Sequence, residues 1–300
     1  MTTASYSVFG LTIVSEIPLP ELDPGLAGAA PDAAVRLDSI ALPEGIAGYS
    51  AAGEATLLTV PKVGRYLISG GSEIVVDPAP EASERNVRLF LLGSAFGALL
   101  HQRGLLPLHA NAVEIDGRAF AFSGHSGAGK STMAAWFHDR GHRILADDVC
   151  VIGFDAEGCA LAHPGIPRLR LWREALEASG RAADGYHRSF DALDKYDVPT
   201  ERDAPLAPLP LAAVYLLTKA QAEAPAPEVA RLTGVAAVDA LVANTYRGGY
   251  LRTIGGTGQH LAACVRVARA VPVFRAERFW GFDRFEEEAR RLEAHARSLP

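Results

Sequence analysis

Short runs of apolar residues, separated by turn-forming residues, dominate the first 80 positions of the chain. Runs of this length with partial alternation are typical of β-strands. Gly70-Gly71 predicts a hairpin turn between the last two of them. The predicted strands are Tyr6 to Val14 (an edge strand), Ala34 to Leu37, Ala55 to Val60, Arg65 to Ser69 and Glu73 to Val76. The pattern therefore predicts a small β-rich lobe over residues 1–83.

Helical spacing first appears after residue 83, where Ser83 is a suitable N-cap. Further along, Asp116-Gly117 predicts a hairpin between the strands Ala112 to Ile115 and Ala119 to Phe122. Strand and helix patterns then alternate as far as an amphipathic helix at Phe282 to Ser298. We predict an α/β fold over residues 84–300, a sheet flanked by helices, next to the β-rich lobe.

Composition excludes several classes of protein. The chain of 300 residues is 49% hydrophobic and 21% charged, which suits a globular core. A net charge of −6 argues against nucleic acid or an anionic membrane as the main partner. Its three cysteines lack metal-ligand spacing and indicate a reducing compartment. We find no signal-peptide pattern at the N-terminus, and predict a soluble, cytoplasmic protein.

A phosphate-binding loop lies directly after the strand Ala119 to Phe122. The segment GHSGAGKS matches the pattern G-x-x-x-x-G-K-[ST], and a helical pattern follows it. Glycines let main-chain N–H groups point at phosphate, and the helix N-terminus adds partial positive charge. Lys130 is expected to neutralise the β- and γ-phosphates, and the Ser131 hydroxyl to bind Mg²⁺. The predicted phosphate-binding residues are Gly124, His125, Ser126, Gly127, Ala128, Gly129, Lys130, Ser131 and Thr132.

Two adjacent carboxylates, Asp147 and Asp148, follow the next strand-like run, HRILA. Ligands bind outside the carboxyl ends of strands in open α/β sheets. One carboxylate can hold Mg²⁺, and the other can accept a proton from an attacking hydroxyl. A single functional aspartate beside a turn residue is the alternative. The 116–117 hairpin also carries His109 toward the same end of the sheet, although an isolated histidine is more often structural.

These separated elements resemble the catalytic domain of the HPr kinase/phosphorylase family. The resemblance is carried by His109, the GHSGAGKS loop and the block GHRILADD that ends at Asp148. The segments FGLTIVSEIPLPEL and PLHANAV are similar to HPr-kinase-related proteins of peptide-modification gene clusters, including lasso-peptide kinases. The resemblance to the HPr kinase/phosphorylase family covers residues 105–152 well and the remainder only in outline.

The resemblance implies an ATP- and Mg²⁺-dependent serine kinase acting on a peptide or protein, with homo-oligomers common among its members. Carried over by position, Asp147 is the catalytic base, oriented by His109, and Lys130 is the third catalytic residue. Ser131 and Asp148 are the metal ligands. The assignment of base and metal ligand between Asp147 and Asp148 stays open.

This chain departs from the family at two places. Thr132 stands where the regulatory enzymes have Glu, and the segment His163 to Trp172 replaces the signature associated with phosphorolysis. We therefore expect a kinase without efficient phosphorolysis. A small-molecule kinase and a non-catalytic ATP-binding switch remain alternatives from the residues alone.

Two basic segments offer further candidate contacts. Arg168 and Arg170 could clamp phosphate or an acidic peptide, with a solvated face as the equal alternative. The polar stretch Arg181 to Pro205 predicts a surface connector or a mobile substrate loop. Within it, Lys195 would be attractive beside a transferring phosphate.

Overall fold

A computed structural model describes residues 3–41, 47–189, 194–200, 206–220 and 227–300, apart from the side chain of Ile254. The chain divides into two compact units. Unit 1 comprises Met1–Pro107 with Tyr246–Ala263, and unit 2 comprises Leu108–Thr245 with Cys264–Pro300.

Strands and helices lie in the following order. The strands are β1 Ala4–Val8, β2 Leu11–Ser15, β3 Asp23–Pro24, β4 Ala33–Leu37, β5 Gly48–Ala52, β6 Ala55–Val60, β7 Gly64–Ser69, β8 Glu73–Pro78, β9 Leu106–Leu108, β10 Ala110–Ile115, β11 Arg118–Ser123, β12 Ile144–Ala146, β13 Cys150–Phe154, β14 Ala160–His163, β15 Arg168–Trp172, β16 His187–Arg188, β17 Lys195–Pro199, β18 Leu209–Lys219, β19 Val229–Leu232 and β20 Val273–Arg278. The helices are α1 Glu84–Phe90, α2 Phe96–Gln102, α3 Lys130–Asp139, α4 Arg173–Ala178, α5 Gly234–Ala243, α6 Leu251–Ile254, α7 Thr257–Ala270 and α8 Phe285–Ser298. A π-helical turn, Leu91–Ala95, joins α1 to α2, and Ala183–Gly185 and Gly248–Tyr250 are 3₁₀ turns.

Unit 1 contains a sheet in the order β3-β1-β2-β4-β8-β7-β6-β5. The predicted strands at 34–37, 55–60, 65–69 and 73–76 are confirmed, as is the turn at Gly70-Gly71. The single edge strand predicted at Tyr6 to Val14 is wrong. Phe9 and Gly10 both have positive φ, 57° and 76°, and form a two-residue turn between β1 and β2. Such a turn reverses the chain, so the segment is a hairpin.

The helix predicted after Ser83 is also confirmed in unit 1. The Ser83 hydroxyl oxygen accepts a hydrogen bond from the Asn86 N–H (3.3 Å), which caps α1. By compactness, residues 84–107 group with the β-rich sheet. The domain boundary predicted between residues 83 and 84 stays a prediction.

Unit 2 contains a mixed sheet in which the order β12-β10-β11-β18-β14-β13 can be followed, with β20 against β18 and β19 against β20. The hairpin predicted at Asp116-Gly117 joins β10 and β11 antiparallel. β11, β18 and β20 run parallel to one another, so their carboxyl ends lie on one edge of the sheet. That edge is where open α/β sheets bind ligands.

Helix α3 is anchored to this sheet by apolar side chains at helical spacing. Met133 and Phe137 are fully buried, and the Phe137 ring lies 5.4 Å from the Phe122 ring of β11. Phe122 in turn stacks on Tyr215 of β18 at 5.3 Å. Burying side chains of this size contributes about 2 kcal/mol each. The core therefore holds the start of α3, and the loop before it, in one place.

Two short strands, β16 and β17, lie within the stretch 181–205, for which the sequence predicts a surface connector or a mobile substrate loop, and they form a small antiparallel sheet with β15 in the order β15-β17-β16. Of that stretch, residues 190–193 and 201–205 lie outside the described part of the chain. Tyr196 and Val198 alternate inward on β17, which explains its strand conformation. The turn-rich composition obscured this short period-2 pattern. Across the described residues, the helices are all too short or too polar to span a lipid bilayer.

Candidate active site

The loop Gly124 to Gly129 runs from the end of β11 to the start of α3, as the sequence pattern predicts. Gly124 and Gly129 have φ values of 143° and 88°, which non-glycine residues rarely adopt. A Cβ at Gly124 would lie 2.7 Å from the Leu217 carbonyl oxygen of β18, and one at Gly129 would collide with the Arg278 guanidinium. Both glycines are therefore required by close approach as well as by backbone conformation.

Lys130, the first residue of α3, folds back across the loop. Its Nζ donates hydrogen bonds to the main-chain oxygens of Gly124 (2.7 Å) and His125 (3.1 Å). Burial lowers the pKa of this ammonium, while the nearby carboxylate of Asp148 acts in the opposite direction. The side chain therefore places its ammonium group next to the first two residues of the loop.

A buried ion pair supports the loop from the neighbouring strand. Arg278, the last residue of β20, donates from Nη1 to the Ala128 main-chain oxygen (3.3 Å) and from Nε to Glu288 of α8 (3.2 Å). The two side chains are 4% and 2% exposed. Glu288 also accepts a hydrogen bond from the Phe279 N–H (2.7 Å). The pair thus ties the loop, β20 and α8 together.

Replacing Glu288 with glutamine should destabilise the protein by about 3 kcal/mol, because it leaves a buried guanidinium without its counter-charge. Urea denaturation measures this. Glu287→Gln is the matched control on the same helix, since Glu287 is 73% exposed and its partner Arg284 is 3.6 Å away. That change should cost less than about 0.5 kcal/mol. Equal effects of the two substitutions would contradict the bracing role of Glu288.

His109 lies beside the loop because of the strand order. β10 is antiparallel to both β11 and β12, so its first residues meet the carboxyl ends of both neighbours. The His109 main-chain oxygen accepts a hydrogen bond from the Ser123 hydroxyl (2.9 Å), and its Nδ1 lies 3.0 Å from the main-chain oxygen of Asp148. Burial, followed by the charge of Lys130, lowers the pKa of His109. A neutral ring that donates from Nδ1 to this carbonyl oxygen explains the geometry.

Asp148 lies on the wall of a pocket that it shares with His109, Lys130 and Lys195. Its φ of 70° is left-handed, and the Asn111 side chain accepts its N–H at 3.3 Å. Oδ1 lies 3.5 Å from Lys195 Nζ and 3.9 Å from His109 Nδ1, and Oδ2 lies 3.2 Å from Arg170 Nη1. Burial acts to raise the pKa of Asp148, but the charges of Lys195 and Arg170 outweigh it and hold that pKa well below its usual range. Asp148 is therefore ionised at neutral pH.

Asp147 occupies a different environment although it is the adjacent residue. It is 7% exposed, and its Oδ2 accepts the Arg170 N–H at 2.6 Å. Within the described part of the chain, its Oδ1 is buried without a hydrogen-bond partner. Burial, and then the charge of Asp148, raise the pKa of Asp147 to about 6. This carboxyl group fastens β15 to the end of β12.

The raised pKa of Asp147 predicts a pH-dependent effect of Asp147→Asn. In the unfolded chain the group ionises near its ordinary pKa of 3.8, whereas in the folded protein it ionises near 6. Ionisation therefore costs folding stability as the pH rises through this interval, by about 3 kcal/mol in total. Asparagine removes that cost.

Urea denaturation of both proteins at pH 4 and pH 7 measures this effect. The stability of Asp147→Asn relative to wild type should rise by about 2–3 kcal/mol between the two pH values. A relative stability that is the same at both would contradict the raised pKa of Asp147.

Of the two alternatives for Arg168 and Arg170, the solvated face is wrong, and the contact with phosphate or an acidic peptide stays a prediction. Both are largely buried and lie 3.3 Å from carboxylate oxygens of Asp197 on β17. Lys195, the first residue of β17, lines the pocket and approaches Asp148. The arginines thus hold the small sheet against the aspartates, and the lysine supplies a second ammonium near Lys130.

One pocket of about 450 Å³ joins these groups, a size typical of small-ligand sites. Its wall includes His109, Asp148 and most of the predicted phosphate-binding residues, from Ser126 to Thr132. Lys195 and Arg278 add positive charge. The sequence pattern did not indicate Arg278, Asn111 or the aromatic residues after β20, because none of them belongs to a local motif.

The residues of the pocket suit a nucleoside triphosphate with Mg²⁺. The positive φ values of the loop glycines allow main-chain N–H groups to point toward a phosphate at the N-terminus of α3. Three cationic side chains, those of Lys130, Lys195 and Arg278, line the pocket. The Ser131 hydroxyl and the Asp148 carboxylate are oxygen donors of the kind that Mg²⁺ prefers, on the wall of the same pocket.

No protein-family model and no curated protein matches the sequence. Among solved structures, the chain is similar to the Hpr(Ser) kinase/phosphatase from Coxiella burnetii, with 14% sequence identity and a TM-score of 0.35. The match covers 64% of this chain and 88% of that one.

Proposed function

We propose that this protein transfers the γ-phosphoryl group of ATP to a hydroxyl group, that of a serine in a peptide or protein. One observation carries the proposal: the phosphate loop with Lys130 and an ionised carboxylate beside a neutral histidine line the same pocket. A nucleotide-binding switch needs the loop but has no use for a proton acceptor opposite it.

In this proposal the loop and its helix bind the phosphates. Main-chain N–H groups of the loop and of the start of α3, apart from that of Ala128, which donates to the His125 main-chain oxygen (3.1 Å), offset the negative charge of the triphosphate together with the ammonium of Lys130. Ser131 would hold Mg²⁺, which when bound offsets charge on the β- and γ-phosphates. Lys195 adds a second positive charge on the wall that carries Asp148.

The proton acceptor in this proposal is Asp148 rather than Asp147, which the sequence resemblance suggested. The acceptor hydroxyl oxygen forms a bond to the γ-phosphorus, the bond from that phosphorus to the bridging oxygen breaks, and the hydroxyl proton passes to Asp148. One fact favours Asp148: it lines the pocket together with His109 and Lys130, whereas Asp147 is not among the residues of the pocket wall. Asp147 is buried and engaged with the Arg170 N–H. His109 then orients Asp148 by holding its main-chain oxygen.

The acceptor class rests on the resemblance of His109, the loop and the GHRILADD block to kinases that phosphorylate serine. The test is incubation of the protein with ATP, Mg²⁺ and two degenerate peptide libraries, one with a fixed serine and one with alanine in its place. Peptides encoded beside its gene form a third set. Mass spectrometry should detect a phosphate adduct on serine peptides only, and none with Lys130→Met protein.

Two outcomes would replace the proposal. Phosphorylation of small hydroxyl compounds, with every peptide unmodified, would identify a small-molecule kinase. Tight ATP binding without transfer or hydrolysis would identify a nucleotide-dependent switch.

A further inference from the structure

Two large aromatic side chains remain exposed on the pocket wall just after β20. Trp280 is 43% exposed and Phe282 is 48% exposed, and both line the pocket that contains the phosphate loop. Exposed apolar side chains cost free energy in water, so their concentration in a pocket indicates a ligand-binding surface. Neither contributes to the phosphate contacts or to the proton transfer described above.

The position of this segment follows from the sheet. β20 is parallel to β18, and β18 is parallel to β11, so the residues after β20 emerge at the same edge as the phosphate loop. Arg278 fastens the end of β20 to the loop through the Ala128 main-chain oxygen. The Trp280 ring lies 5.1 Å from the His125 ring within the loop. The aromatic segment is thus adjacent to the site for the phosphates.

The local geometry suits a flat ligand. Gly281, between the two aromatic residues, has a φ of 116°, and no atom lies within 4 Å of where its Cβ would be. The Trp280 ring has the Lys219 ammonium 5.1 Å from its centre, and the Phe282 ring lies 6.5 Å from the ring of Phe285 on α8. Each ring thus has a neighbouring side chain, and the space beside Gly281, which lies between the two residues in the chain, is open.

We propose that Trp280-Gly281-Phe282 binds the nucleobase of the nucleotide whose phosphates occupy the loop. The inference rests on the proposed function and deepens it. A planar aromatic ring joined to a triphosphate is the ligand class that matches exposed aromatic rings next to main-chain phosphate donors.

Trp172 is the third exposed aromatic residue of the pocket, and we assign it to the hydroxyl substrate rather than to the nucleobase. It pairs with Lys195 in the register of β15 and β17, and Lys195 approaches Asp148. Trp172 therefore lies toward the proposed proton acceptor, on the side of the pocket that receives the hydroxyl substrate. Trp172 is therefore the matched control.

The experiment measures the affinity of the full-length protein for ADP with Mg²⁺ and for pyrophosphate with Mg²⁺ by calorimetry. Trp280→Ala and Phe282→Ala should each weaken ADP binding by about tenfold, the effect of losing a stacked base. Pyrophosphate affinity should stay within twofold of wild type, which also shows that the loop is folded. Trp172→Ala should leave both affinities unchanged. Phe282→Leu keeps apolar volume without a flat ring and should resemble Phe282→Ala.

Each other result has a definite meaning. Wild-type ADP affinity in the Trp280 and Phe282 variants would overturn the nucleobase site while leaving the phosphate loop intact. Loss of ADP affinity in Trp172→Ala alone would place the base on the other wall and overturn the proposal. Binding of neither ADP nor pyrophosphate by the wild-type protein would refute the proposed function itself.

Discussion

Asp148→Asn should lower the rate of the proposed phosphoryl transfer by about a thousandfold, because it removes the proposed proton acceptor. Affinity for ADP measured without Mg²⁺ should stay the same or increase, since the substitution also removes a negative charge from the pocket wall. Steady-state kinetics and calorimetry measure the two effects separately. Asparagine is close in shape to aspartate, but its NH₂ group cannot accept a hydrogen bond, so the contact with either Arg170 or Lys195 is lost together with the charge.

Asp147→Asn is the matched control for this experiment. Its side chain is buried and holds the Arg170 N–H, a bond that the asparagine carbonyl oxygen can still accept. Transfer by this variant should fall by less than about tenfold. The reverse pattern, with Asp147→Asn inactive and Asp148→Asn active, would restore the roles that the sequence resemblance implied and would refute the assignment made from the pocket.

Lys130→Met should both weaken nucleotide binding and lower the transfer rate by about a thousandfold or more. The ammonium is the positive charge closest to the loop carbonyls, and groups that offset charge on a transferring phosphoryl contribute at least this much. Methionine keeps the length and most of the volume of the side chain. Calorimetry with ADP and single-turnover transfer assays provide the two readings.

Lys62→Met, in the β-rich unit, is the control, because Lys62 is exposed on a turn. It should leave binding and transfer unchanged. A Lys130→Met protein that unfolds at the wild-type temperature yet transfers phosphate normally would rule out the proposed role of the loop. For a variant with a lower unfolding temperature, both measurements are repeated well below that temperature, where the protein is folded, and the loss of binding and transfer should persist there.

Local sequence was most informative where neighbouring residues interact with one another. The hairpin at Asp116-Gly117 depends on turn residues, and α3 depends on apolar residues at helical spacing; both lie within a few positions of one another, and both predictions are confirmed. The hairpin at Phe9-Gly10 was missed because its first residue, a buried phenylalanine, is an unusual choice for a positive φ. Hydrophobic packing of that ring outweighs the local preference.

The strand, the glycine loop, the helix and the acidic pair could be predicted from the residue pattern, since each is a property of residues close together in the chain. The different environments of the two aspartates, in contrast, depend on the tertiary fold. β15 and β17, some 20 to 50 residues away, bring Arg170 and Lys195 to these carboxylates, and burial and charge then separate two chemically identical neighbours. The same holds for Arg278 and the aromatic residues after β20, which reach the loop through the parallel order of β11, β18 and β20. Long-range pairing of this kind leaves no local pattern to read.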